Sequence, residues 1–544
     1  MEAEMKLFVE SLERNLTPED IVNLEACMDC KLCGEACAWY LGTEDEKLHP
    51  TYKTNFVRDI YKRYMTIEGK VMGPLGLIPT PTVADLREHA EYFWKCTSCG
   101  RCTLACPVGL STRSIVRMAR AAYTDSGLSR ENPTLNAIIN NLEQKRHSFG
   151  LTSEQIMARY SLFLCSQNIE MAVDVEGADI LFICPSAANT KIPDYATKVM
   201  AILNAADISY TVSSRLLETG TEADHILVHH ELSKTILEVW EAEAERLGVQ
   251  QVMVAECGCD TRSLFFEATA VLGRPFKFPV ILFDPLITER IKDGRLPVDK
   301  VDTKVTLHDP CHSTRLAGMG DNMRELLACV TTNYIEMTPN REHNYCCNGG
   351  AGGMRLPENT PVRRQVSNIK ANQIKNTGAD YVTTPCVVCM VTLDDVCKTY
   401  KVGTTEDRAS TMLFEIVYDA MYRALERRGE LDRMRMPREL RNRSAEYLWN
   451  HSSSGKATQL MQSEKAAAVL AWLEQDEVVQ RFFKDNPAGA VKLETFKSMH
   501  VQAQQGELLE RCAGLVQTNG HRNPADNELV FPDTSREKVP VVVA

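Results

Sequence analysis

The stretch "ADILFICPSAANTKIPDYATKVMAILNAADISYTVSS", residues 178–214, decides the fold of the central part of the chain. Its pattern indicates an apolar strand, a loop that begins at Cys184, an amphipathic helix and a second strand. A strand, a helix and a strand in this order form a right-handed crossover within a parallel sheet. The sequence therefore predicts an α/β unit with a cysteine at the carboxyl end of its first strand.

The same pattern returns at "VTLHDPC", residues 305–311, where an apolar strand ends at Cys311 and the helical stretch "NMRELLACV" follows. Further along, this second half carries Cys346, Cys347, Cys386 and Cys389. The first half carries, in the matching order, Ser213, Ser214, Cys257 and Cys259. The sequence therefore predicts a duplicated α/β unit with cysteines at the carboxyl edge of each sheet, which is where cofactors gather in open parallel sheets.

Two cysteine motifs with the spacing C-x2-C-x2-C-x3-C precede this unit, "CMDCKLCGEAC" at 27–37 and "CTSCGRCTLACP" at 96–107. This spacing is typical of bacterial two-cluster ferredoxins, in which the fourth cysteine of each motif ligates the other cluster. One predicted cubane [4Fe–4S] ligand set is Cys27, Cys30, Cys33 and Cys106. The other is Cys96, Cys99, Cys102 and Cys37. Zinc is the alternative, but a tetrahedral zinc site has no use for the C-x3-C step.

Composition excludes several classes of function. The 544-residue chain has a net charge of -12, which argues against sequence-independent nucleic-acid binding. No stretch approaches the ~18 apolar residues of a membrane span, and the acidic start "MEAEMKLFVESLERN" lacks the features of a signal peptide. We therefore expect a cytoplasmic protein with no transmembrane segment. Its 20 cysteines are then metal ligands or catalytic thiols rather than disulfides.

The later cysteines resemble a known family. Cys311, the vicinal pair in "YCCNGGAGG" (345–353) and the C-x2-C pair at 386–389 are similar to the cysteine-rich CCG domain of heterodisulfide reductases. Two ferredoxin motifs followed by two such domains resemble the fused, D-type subunit of these enzymes. The "HDPC" around Cys311 and the serines of the first copy resemble the branch that serves dissimilatory sulfite reductase. The resemblance covers about residues 20–420.

This resemblance implies a noncubane [4Fe–4S] cluster in addition to the two cubanes. Its implied ligands, which would also be the catalytic residues, are Cys311, Cys346, Cys347, Cys386 and Cys389. The alternative for the vicinal pair is two buried cysteines that act as small hydrophobic side chains.

Other residues near these cysteines are candidates for supporting roles. Asn348 replaces the glycine of the CCG motif, and we expect it, with Gly349 and Gly350, to let the backbone approach the cofactor closely. His308 and His312 flank Cys311, and their role stays open between hydrogen bonding to the ligands and proton donation.

The first copy lacks a vicinal pair. We expect Cys184, Cys257 and Cys259 to be a cluster-free relic that packs the sheet, with a substrate-thiol site or a cubane with one non-cysteine ligand as alternatives. The isolated cysteines are expected to be core residues: Cys165, Cys329, Cys397 and Cys512.

The predicted architecture is mixed, α+β and α/β. It comprises a helical two-cluster ferredoxin-like domain (1–130), a connector (131–170), a degenerate CCG domain (171–300), a complete CCG domain (301–420) and a C-terminal helical and extended arm (421–544). The composition shift after residue 420 suits docking of this arm to a partner subunit.

The chain contains no G-x-G-x-x-G that opens a helix after a strand, so we expect no flavin or NAD on it. Electrons must then be exchanged with another redox subunit, either a flavoprotein or a membrane cytochrome b that would hold the chain at the inner face of the membrane. The resemblance implies an oxidoreductase subunit that reduces or forms a sulfur–sulfur bond in a disulfide or trisulfide. The alternative is an iron–sulfur relay to quinone in a glycolate, lactate or glycerol-3-phosphate dehydrogenase or an electron-transferring flavoprotein system.

Overall fold

The computed structural model describes residues 2–153, 156, 160, 172–192, 195–216, 218–255, 258–403 and 409–434. The predicted arm beyond Met434 lies outside these residues, and so do Cys165, Cys257 and Cys512. No helix in the described ranges is long and apolar enough to cross a membrane.

The N-terminal region is helical, as predicted. Its α-helices are Ala3–Asn15, Pro18–Glu25, Ala38–Leu41, Pro50–Ile60, Ile67–Met72, Val83–Trp94, Arg101–Ala105, Thr112–Asp125 and Pro133–Lys145. Thr17 and Thr82 begin two of them with capping boxes, which satisfy backbone N–H groups that the first turn leaves free. Phe8 packs edge-on against Tyr123 with ring centroids 4.9 Å apart, so the first helix closes this core. The helix Pro133–Lys145 lies in the predicted connector, residues 131–170.

Eight strands of the described chain form two parallel four-stranded sheets. They are β1 Ile180–Ile183, β2 Tyr210–Thr211, β3 Gln251–Val254, β4 Val280–Leu282, β5 Val305–Leu307, β6 Tyr334–Ile335, β7 Tyr381–Thr384 and β8 Ser410–Met412. The orders are β2-β1-β3-β4 and β6-β5-β7-β8, with Leu181 paired to Val252 and Thr306 paired to Val382. The identical order confirms the predicted pair of α/β units.

Helices cover both sheets, which suits strands as buried as β1. The α-helices of the first unit are Ser186–Lys191, Tyr195–Ala205, His230–Leu247, Gly258–Arg262, Ala268–Leu272 and Phe283–Lys292. Those of the second are Gly320–Val330, Thr360–Val366, Asn368–Lys375, Val387–Tyr400 and Leu413–Arg428. The π-helical turns are Tyr61–Met65, Ala223–Leu227, Ser263–Glu267 and Cys311–Leu316. Short 3-10 turns are Leu32–Ala36, Glu46–Leu48, Leu128–Glu131, Arg341–His343, Pro357–Asn359 and Leu431–Met434.

The two α/β units share a core, and their carboxyl edges meet. Tyr195 of the first unit packs against Phe414 of the second with ring centroids 4.7 Å apart. At the carboxyl edges, the backbone N–H of Gly258, just after β3, donates to Sγ of Cys386, just after β7, at 3.4 Å. The loops that carry the cysteines therefore lie at the junction of the two units.

Candidate iron–sulfur sites

The first predicted cubane set lies around one pocket near the surface. Cys27, Cys30, Cys33 and Cys106 all line it. Burial and the neighbouring thiols of Cys27, Cys106 and Cys30 raise the pKa of Cys33 to about 12. Cys30 is exposed, and Met28 beside it keeps 81% of its surface accessible. The pocket therefore opens to the exterior on this side.

The second predicted set lies around a neighbouring pocket, lined by Cys37, Cys96, Cys99 and Cys102. Burial raises the pKa of Cys102 well above its ordinary value, with Cys99, Cys96 and Cys37 contributing as nearby thiols. Each pocket thus contains three cysteines of one motif and the fourth of the other motif. This is the crossed arrangement that the spacing predicts, and the ligand assignment itself stays a prediction.

The two motifs have the same local backbone. The second residue after the first cysteine has a positive φ in both, 53° at Asp29 and 53° at Ser98, and so does the fourth, 63° at Lys31 and 72° at Gly100. These left-handed residues curl each loop around its pocket. The backbone N–H of Ser98 donates to Sγ of Cys96 at 3.4 Å, so the loop directs a hydrogen-bond donor at this sulfur.

The five cysteines of the second α/β unit come together. Cys346, Cys347, Cys386 and Cys389 are buried and Cys311 is half-buried. Sγ of Cys347 lies 3.4 Å from Sγ of Cys389. Hydrogen bonds from the thiols of Cys311 and Cys99 lower the pKa of Cys346, and those from Cys346 and Cys389 lower the pKa of Cys347 well below its ordinary value.

Backbone N–H groups point at these sulfurs. Asn348 donates to Cys346 at 3.3 Å and Gly349 donates to Cys347 at 3.4 Å, in addition to the bond from Gly258 to Cys386. Asn348 has a φ of 71°, which is the left-handed conformation that a glycine would adopt freely. A Cβ at Gly349 would collide with the hydroxyl of Thr392. Converging sulfurs with N–H donors on a close backbone are a donor set that fits an iron–sulfur cluster.

His308 lies at this site. Its ring nitrogen falls within 4.8 Å of the sulfurs of Cys347 and Cys389, and Nδ1 lies 3.3 Å from Nδ2 of Asn344. Nε2 of His308 is buried without a hydrogen-bond partner among the described residues. Burial and the nearby Lys370 hold the pKa of His308 well below its usual range, which keeps the imidazole neutral. Its role, hydrogen bonding to the ligands or proton donation, stays a prediction.

His312 stands on the other side of Cys311, against the first α/β unit. Its ring lies 4.7 Å from that of His225, edge to face, and neither of its nitrogens has a hydrogen-bond partner in the described part of the chain. His225 accepts the N–H of Ala351 at 3.2 Å. The first α/β unit therefore contacts and stabilises the glycine-rich loop of the second unit, residues 345–353.

Sequence reasoning missed three residues at the vicinal pair. The hydroxyl of Thr97 lies 3.4 Å from Sγ of Cys346. Lys370 is fully buried and donates to Oδ1 of Asn344 at 2.7 Å. From the sequence, Thr97 is only a loop residue between Cys96 and Cys99. No local pattern distinguishes Lys370 or Asn344.

The matching positions of the first unit are arranged differently. The hydroxyl of Ser213 donates to Glu243 at 2.7 Å and that of Ser214 to Asp174 at 2.6 Å. Cys184 and Cys259 are buried, and burial raises the pKa of Cys184. The serines are thus engaged with carboxylates, and the absence of a cluster in this copy stays a prediction. Cys329 is half-buried and Cys397 is buried.

Comparisons with known proteins match this order of sites. A family profile described as "4Fe-4S dicluster domain" matches residues 23–110, which contain both ferredoxin motifs. A second, the CCG "Cysteine-rich domain", matches residues 305–394, which contain the five cysteines of the second unit. The fold and these domains define an iron–sulfur electron-transfer protein.

The chain is also similar to curated subunits of heterodisulfide reductases and related enzymes. The chain is 25% identical to the Hdr-like menaquinol oxidoreductase iron-sulfur subunit of Archaeoglobus profundus, over 70% of this chain and 76% of the relative. It is 24% identical to the D-type subunit of the dihydromethanophenazine:CoB–CoM heterodisulfide reductase of Methanosarcina barkeri, over 70% of this chain and 91% of the relative. The resemblance to D-type heterodisulfide reductase subunits is confirmed, and the two matched domains support an iron–sulfur electron-transfer role for the chain.

Proposed function

We propose that the chain conducts electrons through two cubane [4Fe–4S] clusters to a noncubane [4Fe–4S] cluster, where a sulfur–sulfur bond is reduced or formed. The cubanes would be held by the two crossed cysteine sets. The noncubane cluster would be held by Cys311, Cys346, Cys347, Cys386 and Cys389. The observation that carries the proposal is the contact of Thr97 and Cys99, in the second ferredoxin motif, with Cys346 of the vicinal pair.

The order of the sites supports a linear path between the surface and the vicinal pair. Cys30 of the first set is exposed, the cysteines of the second set are half-buried, and the vicinal pair is buried. Arginines join the second motif to the α/β unit: Arg315 donates to the carbonyl of Cys99 at 2.8 Å, and Arg101 donates to that of His343 at 3.0 Å. These bonds keep the second set and the vicinal pair at a constant separation.

A cluster at the five cysteines would supply electrons one at a time. Splitting a disulfide takes two electrons and two protons and releases two thiols, and the reverse reaction returns them. The residues of the chain hold the thiolates through the N–H groups of Gly258, Asn348 and Gly349 and bury them away from water. A heterodisulfide or a protein-bound trisulfide is the proposed substrate. A flavoprotein or a membrane cytochrome b is the proposed redox partner, the latter placing the chain at the cytoplasmic face of a membrane.

A second candidate function is an electron relay to or from quinone with no sulfur chemistry. It is favoured by a relative, the EtfAB:quinone oxidoreductase of Syntrophomonas wolfei, which is 20% identical over 75% of this chain and 59% of the relative. In that function the vicinal-cysteine site would only conduct electrons.

Single-turnover measurements separate the two functions. The anaerobically purified chain is reduced with dithionite, mixed with a disulfide, and followed by electron paramagnetic resonance and by thiol release. We expect the signals of the reduced cubanes to disappear as they are reoxidised, two thiols to be released per two electrons, and a new disulfide-dependent signal to arise from the third cluster only. Reoxidation by a quinone analogue without any response to the disulfide would contradict the sulfur chemistry and support the relay.

A further inference from the structure

A lysine, Lys370, is buried near the vicinal cysteines. Lys370 lies on the helix Asn368–Lys375 and has no exposed surface. Its ammonium is held by the amide oxygens of Asn344, at 2.7 Å, and Gln373, and by the sulfur of Met337 at 3.5 Å. No carboxylate of the described chain forms a salt bridge with it. An ammonium ion buried among neutral groups is costly unless anions lie nearby.

The charges that face Lys370 identify those anions. Cys346, Cys347, Asp309 and Cys389 act on it electrostatically. Asp309 is already paired with Arg324 at 2.8 Å and accepts the N–H of Arg341 at 2.7 Å. The remaining groups are cysteines, which are anionic when they ligate iron. Burial lowers the pKa of Lys370 to about 7 while these neighbouring charges raise it, so thiolates at this site favour the ammonium form.

The same arrangement recurs at the second cubane site. Lys53 is buried, lines the pocket of the second set and donates to the carbonyls of Leu48 at 3.0 Å and His49 at 3.4 Å. Burial lowers its pKa, and the neighbours that raise it are, in order, Cys96, Cys37, Cys102 and Asp45. Two consecutive sites on the proposed path therefore each have a buried lysine held by neutral oxygens.

We propose that Lys370 is the charge-compensating residue of the vicinal-cysteine site and that Lys53 has this role at the second cubane site. Each ammonium balances the thiolates that ligate a cluster and thereby raises the reduction potential of that cluster. Because each lysine acts through charge and not by ligation, it tunes the potential without holding the iron. This inference rests on the clusters of the proposed function and adds the residues that set their relative potentials.

Matched substitutions test the two lysines against each other. Lys370→Met and Lys53→Met keep the length of the side chain and remove the charge. Iron content and redox titrations followed by electron paramagnetic resonance are measured on the full chain. We expect Lys370→Met to lower the potential of the third cluster and leave the second cubane unchanged, and Lys53→Met to do the opposite. Lys198→Met is the control, because Lys198 is also buried but is paired with a carboxylate, that of Glu415, at 3.3 Å.

The outcomes are separable. A third-cluster potential that does not respond to Lys370→Met, at full iron content, would contradict this inference alone. A wild-type chain with about eight irons and no third signal would contradict the noncubane cluster of the proposed function, while Lys53→Met would still test the role of charge. If Lys370→Met loses the third cluster, Lys370→Arg restores the charge: recovery of the cluster and its potential would support the inference, and failure to recover would count against it.

Discussion

The hydroxyl of Thr97 lies 3.4 Å from Sγ of Cys346, across 249 residues of sequence. Thr97 sits between two cysteines of the second ferredoxin motif, and Cys346 begins the vicinal pair. The contact joins the helical N-terminal region to the second α/β unit where the two candidate cluster sites meet. In the proposed function, electrons cross between the two sites near this contact.

Thr97→Val removes the hydroxyl and preserves the shape of the side chain. We expect normal iron content and a lower reduction potential for the third cluster, because hydrogen bonds to cluster sulfurs raise the potential. Redox titration followed by electron paramagnetic resonance measures this. Thr103→Val, in the helix Arg101–Ala105, is the matched control. An unchanged potential would show that this hydroxyl does not donate to the sulfur.

Cys347→Ser should lose only the third cluster. A serine hydroxyl is a much poorer iron ligand than a thiolate, so iron should fall from about twelve to about eight atoms per chain. The cubane signals should persist and thiol release from a disulfide should stop. Cys397→Ser, at a buried cysteine of the same unit, should retain all the iron. Normal disulfide turnover in Cys347→Ser would end the catalytic assignment of the pair.

Substitutions of Asn348 test the left-handed backbone conformation of the loop that follows the vicinal cysteines. Its φ of 71° is unfavourable for a residue with a Cβ by about 1–2 kcal/mol, less so for asparagine, and free of cost for glycine. Asn348→Ala should therefore lower the free energy of unfolding by about 1 kcal/mol relative to Asn348→Gly. Both variants lose the bond from Nδ2 to Ser367, 3.3 Å long, so their difference isolates the backbone. Urea unfolding that ranks the alanine variant equal or higher would contradict this conformation.

Asp284 should make stability fall as pH rises. Burial raises the pKa of Asp284 from 3.8 to about 7, so between these values the folded chain binds a proton that the unfolded chain does not. The penalty for ionisation grows over this range and is complete above about pH 7. Asp284→Asn should raise the unfolding free energy at pH 8, by roughly 1–4 kcal/mol, and by less at pH 5.5. Urea midpoints at the two pH values measure this, with Asp293→Asn as the control; an equal gain at both would contradict it.

The C-terminal arm is predicted to dock a partner, and only its beginning falls within the described residues. Met421 and Leu425 on the helix Leu413–Arg428, and Met434 just after it, are buried in the core of the α/β units. A chain that ends at Met434 should therefore keep its clusters and lose co-purification with its redox partner. Iron analysis and pull-down from the native host test this. Loss of clusters on truncation would assign the arm to the fold instead.

The sequence predicted best what depends on local spacing. The three short loops of each ferredoxin motif determine which sulfurs can share a pocket, so both crossed sets could be predicted from spacing alone. The repeated strand–loop–helix pattern likewise predicted two parallel sheets with Cys184 and Cys311 at their carboxyl edges. The contact of Thr97 with Cys346 depends on how two regions pack, and no local pattern carries that information.

The burial of Lys370, on a helix, could not be predicted from the sequence either. In "NIKANQIK", residues 368–375, the apolar residues at 369, 371 and 374 predict an amphipathic helix, and a lysine there suggests a solvated face. Lys370 is buried because the loop around Asn344 covers it and supplies a hydrogen-bond acceptor. Buried charge is a property of the assembled site, which is why composition and periodicity did not identify it.

Cys30 is exposed, whereas Cys346 and Cys347 are buried. This difference should decide which site oxygen from the air damages first. Oxygen would reach the outermost pocket before the innermost. A chain handled aerobically would then be disconnected from its electron supply while its vicinal-cysteine site was still intact. Its lost activity would return on rebuilding a single outer cluster, and the inner thiolates would be the last to oxidise.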